Sequence, residues 1–146
     1  KRERGMKMGN SRYKFRAWNK HDEIMEHIND LYWFEENGVH DFNDNNYEFM
    51  QYTGLFDDDG NEIFEGDIVN IHDPFETKTA YKSEVLFTAD GVRVWTHPIH
   101  RALDVVSPTR LLSHYCDYGH GGKPGRFCKI VGNIYENPDL IERGQT

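Results

Sequence analysis

Four possible zinc ligands lie within fifteen residues in the last third of the chain: His114, Cys116, His120 and Cys128. Histidine nitrogen and cysteine sulfur are the ligands that zinc prefers, and the glycine-rich segment around them could close a tetrahedral site. The spacing differs from that of the usual zinc finger or ribbon, in which the ligands come in close pairs. Two interpretations therefore stand: a metal site, or a polar loop with Cys128 on the core side of a strand.

A second group of chemically active side chains is a run of carboxylates: Asp57, Asp58, Asp59, Glu62, Glu65 and Asp67. A calcium-binding helix–loop–helix requires Gly at the sixth position of its loop and Glu at the twelfth, where this chain has Glu62 and Ile68. That motif is excluded. Scattered carboxylates could still hold the divalent cation of a nuclease, but the pattern favours a solvent-exposed turn.

Three further histidines, His72, His97 and His100, could act as general bases, because histidine titrates near neutral pH. No Ser or Cys stands in a nucleophile-elbow context, and no phosphate-binding loop of the GxxxxGK(S/T) type is present. Lone histidines in a β-protein usually lie at the surface or in satisfied interior positions. We therefore assign no catalytic residue and expect neither an enzymatic reaction nor a cofactor.

The chain has 146 residues, the size of one domain with its own core. Its charge is unevenly distributed: the first twenty residues hold eight Lys or Arg and one Glu, a charge of +7, so the other 126 residues carry −15 and the net charge is −8. An acidic body repels phosphate backbones, although a basic arm could contact them. We interpret residues 1–12 as a disordered basic arm or a segment foreign to the natural protein, and residues 13–146 as one domain.

No apolar run is long enough to cross a bilayer, and the N-terminus lacks an apolar signal core. The sequence therefore predicts a soluble cytoplasmic protein that does not contact membranes and whose two cysteines are reduced. Aromatic residues make up 14% of the chain. Their rings must supply much of the buried area, which suits sheets more than helices.

The clearest structural signal is residues 50–69. An aromatic and β-branched run over 50–56 predicts a strand, the Asp- and Gly-rich segment 57–61 reverses the chain, and residues 62–64 return. Gly66-Asp67 makes a second corner before an alternating strand over 68–72. These elements must position the carboxylates described above.

Further strands are predicted on both sides of this hairpin. Residues 13–18 alternate, with Phe15 and Ala17 on one face, and residues 24–31 favour a strand although a helix fits the same spacing. A second hairpin joins 81–87 to 92–95 through the turn Ala89-Asp90-Gly91, and Tyr81, Ser83, Val85 and Phe87 are expected on one side.

The C-terminal half ends in a closing strand. Residues 96–112 predict a long crossing or a short helix around 110–112, and 118–126 predict a glycine-rich loop. The closing strand covers 127–135 with a bulge at Gly132, and Asn137 and Pro138 suit the cap and first position of a terminal helical turn. The fold class is mainly β: a small antiparallel barrel or sandwich with minor helix.

Three blocks in this order, residues 14–20, 50–69 and 130–140, resemble the YopX family of phage and prophage proteins. The departures are mild; Asn19, for example, stands where the family often has Asp. The resemblance implies a β-rich, barrel-containing domain encoded by phage-derived DNA and working inside a bacterium. It implies no catalytic residue, and it makes homo-oligomers a reasonable expectation.

The residues that carry this resemblance also have a structural interpretation, because glycines serve turns and bulges and the large side chains are expected in the core. The residues of the fold motif are Trp18, Tyr52, Gly54, Gly60, Gly66, Asp67, Gly132, Asn133, Tyr135, Asn137 and Pro138. The expected core comprises Trp18, Tyr52, Phe64, Val69, Ile134 and Tyr135.

Three functional hypotheses follow. The leading one is a non-enzymatic, self-assembling β-domain that binds a host or phage protein, because many aromatic side chains are available for interfaces. The second is a nucleic-acid-binding module, in which bases stack on Trp33, Trp95 or exposed tyrosines. The third is a metal-dependent enzyme that uses the four zinc-type ligands.

Overall fold

The computed structural model describes residues 14–71, 81–89, 91–95, 109–112, 116 and 128–142. The predicted arm and the predicted loop 118–126 lie outside these residues, as do His72, His97 and His100. The chain divides into two compact units, Lys1–Tyr52 and Thr53–Thr146. The single domain over 13–146 stays a prediction. In the described part of the chain, no helix is both long enough and apolar enough to span a membrane.

The first unit is built on three antiparallel strands: β1 (Phe15–Asn19), β2 (Ile24–Ile28) and β3 (Tyr47–Phe56), the last of which continues into the second unit. β1 lies between the other two, so that Phe15 is opposite both Ile28 and Gln51. The strand predicted over 13–18 is confirmed, and residues 24–28 form a strand rather than a helix. β3 begins three residues earlier than the predicted strand.

Asn19 organises the turn between β1 and β2. Its side-chain oxygen accepts hydrogen bonds from the backbone N–H groups of His21 and Asp22, both at 3.1 Å. Its amide donates to the carboxylates of Asp22 and Glu26, each at 3.0 Å. An aspartate could accept the same two backbone bonds but could not donate to the carboxylates.

The core of the first unit lies on one face of its sheet and is largely aromatic. Ala17, Ile28, Trp33 and Val39 are buried there, and Phe15, Phe34, Tyr47 and Phe49 pack against them. Trp33 belongs to a short helix, α1 (Tyr32–Glu36). Its ring meets those of Phe34 and Tyr47 edge to face, with centroids 5.2 Å apart in both cases. The prediction that Trp33 offers a stacking surface to bases is therefore wrong, because its ring is buried.

The described residues of the second unit hold the end of β3 and eight further elements. These are β4 (Glu62–Phe64), β5 (Asp67–Ile71), β6 (Tyr81–Glu84), β7 (Leu86–Thr88), β8 (Gly91–Trp95), β9 (Thr109–Leu111), β10 (Cys128–Asn133) and α2 (Asp139–Glu142). Two antiparallel sheets have the orders β10-β5-β6 and β7-β8-β9. Both predicted hairpins are present, β3–β4 and β7–β8.

One core is shared by most of the described strands of the second unit. It comprises Ile63, Val69, Ile71, Val85, Val94, Leu112 and Cys128, which are all but fully buried. These residues come from β4, β5, β8, β10 and the ends of β6 and β9, so both sheets enclose the same interior. The predicted fold class is confirmed: mainly β, antiparallel and barrel-like, with a short C-terminal helical turn.

The strand predicted over 81–87 is interrupted at Val85. β6 pairs with β5 before this residue, and β7 pairs with β8 after it. The N–H of Val85 donates to the Asp67 carbonyl at 2.8 Å and its carbonyl accepts from Gly66 at 3.1 Å, so the chain changes sheets here. Of the residues predicted to share one side, Ser83 and Val85 are buried, but Phe87 is exposed because it lies beyond the break.

Two other expectations are corrected. The segment around 110–112 is not helical, since Thr109–Leu111 forms β9 and pairs with β8. Tyr52, Phe64 and Val69 are buried as expected, but Trp18, Ile134 and Tyr135 are only half-buried. In the case of Ile134 and Tyr135, the reason is that β10 ends at Asn133 and both residues lie in the following turn.

Candidate functional site

The acidic turn between β3 and β4 is a structural junction. The Oδ1 atom of Asp57 accepts hydrogen bonds from the N–H groups of Asp59 at 3.0 Å and Asn61 at 2.8 Å. Its Oδ2 atom accepts from the N–H of Ile130 in β10 at 3.1 Å. Only 7% of Asp57 is exposed. The expected solvent-exposed turn is therefore wrong for this residue, whose carboxylate fastens the turn to a strand 73 positions away.

Asp58 continues this junction. Its N–H donates to the carbonyl of Cys128 at 2.9 Å, and the N–H of Cys128 donates to its carboxylate at 3.2 and 3.3 Å. The next residues, Asp59 and Lys129, form an exposed ion pair at 3.5 Å. The carboxylates of Asp57 and Asp58 therefore accept hydrogen bonds from backbone N–H groups of the same fold.

Asp67 has the same role at the second corner. It is 1% exposed, and its Oδ2 atom accepts from the N–H of Phe64 at 2.8 Å. Gly66 precedes it with φ of 85°, a conformation that L side chains rarely adopt. The Gly66 carbonyl also accepts from Ile134 at 2.9 Å. The predicted corner is thus confirmed, and it joins β5 to the segments that follow β6 and β10.

One carboxyl group with a raised pKa, that of Glu84, is not among the residues predicted from the sequence. Glu84 lies opposite Ile68 at the end of β6. Burial, followed by the negative charge of Glu65, raises the pKa of the Glu84 carboxyl. No signal in the sequence connects these two glutamates, because they come together only through the pairing of β5 with β6.

The end of β10 contains a close approach that explains Gly132. The pairing of β10 with β5 shifts register between Ile130 and Gly132, so the predicted bulge is confirmed. A Cβ atom at Gly132 would lie 2.5 Å from Oδ1 of Asn137. That oxygen accepts from the N–H of Asn133 at 3.2 Å. The Asn137 side chain therefore turns back to the strand, which differs from the predicted capping of α2.

Asn133 completes this arrangement. Its Oδ1 atom accepts from the N–H groups of Tyr135 at 3.0 Å and Glu136 at 2.8 Å, and its amide donates to the Glu136 carboxylate at 2.6 Å. Pro138 lies one residue before α2, and its carbonyl accepts from Ile141 at 3.3 Å. These motif residues shape the backbone after β10.

The structure brings the two cysteines together. Cys128 is buried in the core of the second unit, and Cys116 is half-buried and packs against the same core. Both are free thiols. A hydrogen bond with Cys116, burial, and the negative charges of Cys116, Asp58 and Asp57 raise the pKa of the Cys128 thiol. Among the described residues, no three His, Cys, Asp or Glu side chains are grouped to hold a metal; His114 and His120 lie outside them, so the zinc site stays a prediction.

We expect Cys128 to be much less reactive than Cys116. At pH 8, iodoacetamide should alkylate Cys116 first in the native protein, because only the thiolate reacts and the raised pKa keeps Cys128 protonated. Mass spectrometry of timed digests measures both rates, and protein unfolded in urea is the control in which they should converge. Equal alkylation rates in the native protein would contradict the raised pKa of Cys128.

The free energy of unfolding should also fall as the pH rises above the ordinary thiol pKa of about 8.5, since unfolding then releases the Cys128 proton.

One surface of the first unit exposes a large aromatic side chain. Phe42 is 52% exposed, and its ring lies against those of Phe15 at 5.0 Å, Phe34 at 5.5 Å and Phe49 at 5.0 Å. We call these four rings the Phe42 surface. Phe42 was not among the predicted site residues, because it stands alone in the polar segment 41–46, whose Asp and Asn residues indicate a loop. The only signal was that isolation: a single large apolar side chain among Asp and Asn.

The described residues thus form an antiparallel β-protein in which acidic and amide side chains fasten turns to strands. The sequence profile described as "YopX protein" matches residues 14–142. The chain belongs to the YopX family. The predicted resemblance is therefore confirmed over nearly the whole chain.

The solved structures that are similar to this chain include two bacterial proteins. Protein EF1440 from Enterococcus faecalis matches with a TM-score of 0.52 and 24% identity, over 88% of this chain and 96% of its own. Protein yopX from Bacillus subtilis matches with a TM-score of 0.48 and 13% identity, over 88% of this chain and 98% of its own. The similarity to EF1440 supports the fold alone. No curated protein matches the sequence.

Proposed function

We propose that this YopX-family chain is a phage- or prophage-encoded accessory protein that acts without catalysis, by binding a protein partner in the bacterial cytoplasm and assembling with itself. The Phe42 surface carries the proposal. A half-exposed phenylalanine seated on three other rings offers a rigid apolar contact that loses little side-chain entropy on binding.

The use of the carboxylates supports a non-catalytic role. Asp57, Asp58 and Asp67 each accept at least one backbone hydrogen bond within the fold. A catalytic acid or base must instead reach a substrate proton. Those side chains are best explained by the stability of the β3–β4 turn and the β4–β5 corner.

The zinc site, which belongs to the third hypothesis from the sequence, is kept as a second candidate because one observation favours it. Cys116 and Cys128 are in contact, as two ligands of one tetrahedral ion would be. Elemental analysis of protein purified without chelators tests it. Zinc near one equivalent, lost in the variant Cys116→Ser, would support the metal site, whereas protein free of zinc would remove it.

Affinity capture tests the leading proposal. The tagged protein is incubated with lysate of a bacterium carrying such a phage, with and without nuclease, beside the variants Phe42→Ser and Phe56→Ser. Phe56 is a matched control, because it is also 52% exposed but lies in the second unit. We expect a discrete protein that survives nuclease and is lost with Phe42→Ser. Captured material that disappears with nuclease would instead favour the nucleic-acid alternative.

Light scattering of the purified protein over a range of concentrations tests self-assembly.

A further inference from the structure

The two cysteines of the chain form a pair of thiols in the second unit. Cys128 in β10 is 1% exposed, whereas Cys116 is half-buried and packs against the same hydrophobic core. The two thiols are in hydrogen-bond contact, and both are free. Because the chain contains no other cysteine, each thiol has a single possible partner for an intramolecular disulfide.

The position of Cys128 is fixed by its backbone. It lies opposite Ile71 where β10 pairs with β5. Its carbonyl accepts from the N–H of Asp58 at 2.9 Å, and its N–H donates to the Asp58 carboxylate at 3.2 and 3.3 Å. A disulfide requires two side chains that converge and an S–S distance of about 2.05 Å. The contact between the thiols meets the first condition, and a small movement of the Cys116 side chain would meet the second.

The two thiols differ in their access to solvent. A dissolved reagent reaches the half-buried Cys116 before the buried Cys128. An accessible thiol with a second thiol in contact behind it is the arrangement of redox-sensing cysteines, in which the first residue reacts with an oxidant and the second resolves the product. The burial of the pair therefore assigns the first role to Cys116 and the second to Cys128.

We propose that Cys116 and Cys128 are an oxidative modification site, at which a small-molecule disulfide converts the two thiols into a reversible intramolecular disulfide. The Cys116 thiolate attacks one sulfur of the small disulfide, whose S–S bond breaks, and one small thiol leaves. Cys128 then gives its proton to solvent and attacks Sγ of Cys116, and the second small thiol leaves. The protein thus loses two protons and two electrons, and the small disulfide is reduced to two thiols.

This inference goes beyond the binding of a protein partner, and it uses no residue of the Phe42 surface. The new bond would join Cys116 covalently to β10 and, through Cys128, to the acidic turn at Asp58. In the oxidised form the two sulfurs cannot ligate zinc, because a disulfide has no thiolate. Disulfides of cytosolic proteins are usually transient and redox-sensing, so the dithiol is the resting form in the cytoplasm proposed above.

The test uses the full chain as purified, after its zinc content has been measured. The native protein is incubated with oxidised glutathione, and samples are taken over time and acidified, which stops the exchange. Free thiols are then blocked with N-ethylmaleimide in mildly acidic urea, and mass spectrometry identifies the product at each cysteine. The variants Cys116→Ser and Cys128→Ser are treated in the same way after circular dichroism has shown that they are folded, and the result for the native protein depends on neither variant.

We expect the native protein to gain one glutathione at Cys116 and then to lose it as the bond to Cys128 forms. The raised pKa of the Cys128 thiol makes the second step the slower one. Cys128→Ser should stop at the mixed disulfide, and Cys116→Ser should react about tenfold more slowly than the native protein, because only the buried thiol is left. The oxidised protein should unfold at a urea concentration about 1 M higher, and dithiothreitol should reverse this shift.

Several outcomes would overturn the inference. The first is no reaction in the native protein, whether the thiols are inaccessible or held by zinc. The others are a mixed disulfide at Cys116 that is never resolved, a disulfide-linked dimer, an intramolecular bond that forms only in protein unfolded by urea, and equal reaction rates for Cys116→Ser and the native protein. None of these outcomes bears on the proposed function, which affinity capture with Phe42→Ser tests separately.

Discussion

Replacement of Asp57 by Ala should lower the free energy of unfolding by about 2–4 kcal/mol, because buried backbone donors would lose their shared acceptor. Those donors are the N–H groups of Asp59, Asn61 and Ile130. The last bond joins the β3–β4 turn to β10, so its loss should loosen two parts of the second unit at once. Urea denaturation followed by circular dichroism measures the change.

Two variants make this prediction specific. Asp57→Asn keeps one side-chain oxygen as an acceptor, so it should lower the free energy of unfolding by less than Asp57→Ala does. Asp59→Ala removes a neighbouring carboxylate whose ion pair with Lys129 is exposed, and it should change stability by no more than about 0.5 kcal/mol. If Asp57→Ala and Asp59→Ala had the same small effect, the carboxylate of Asp57 would not be the fastening that the hydrogen bonds indicate.

Replacement of Gly132 by Ala should destabilise the protein by about 1–3 kcal/mol through overpacking. The new methyl group would lie 2.5 Å from Oδ1 and 2.8 Å from Cγ of Asn137. To avoid it, the Asn137 side chain would have to give up the bond from the N–H of Asn133. Thermal or urea unfolding of the single variant measures the cost.

A double-mutant cycle with Asn137→Ala identifies the cause. The two closest atoms, Oδ1 and Cγ, are absent from Asn137→Ala, and only the Cβ atom at 3.1 Å remains. The double variant should therefore be more stable than the sum of the two single changes predicts, by about 1 kcal/mol or more. Gly54→Ala is the matched control, because Gly54 has φ of 84° and no atom within 4 Å of the added carbon. Its cost should come from backbone strain alone and should not depend on residue 137. Additive effects of Gly132→Ala and Asn137→Ala would contradict the steric explanation.

Much of the fold could be predicted from local sequence. The β3–β4 hairpin, the Gly66-Asp67 corner, the β7–β8 hairpin and the bulge near Gly132 all depend on backbone conformations that only a few residue types adopt easily. Such preferences act over a few neighbouring residues, and they can therefore be recognised without a structure. The order of the sequence blocks 14–20, 50–69 and 130–140 also indicated the family.

The candidate site was less predictable, because contacts distant in sequence decide it. Phe42 is a single aromatic residue in a segment rich in Asp and Asn, and its exposure depends on how Phe15, Phe34 and Phe49 pack against its ring. Trp33 could equally have been an exposed or a buried ring. Burial is set by packing against other elements, which no local pattern records.

By itself, the sequence determined the mainly β, antiparallel character of this protein, its positive-φ glycine turns and its place in the YopX family. Tertiary structure alone decided that Val85 ends one sheet and begins another, that Asp57 is buried against Ile130, and that Cys116 meets Cys128. The physical reason is the range of the interactions. A turn conformation depends on the backbone energies of a few residues that are neighbours in the chain. Burial, strand pairing and charge environment depend instead on residues brought together from dozens of positions away.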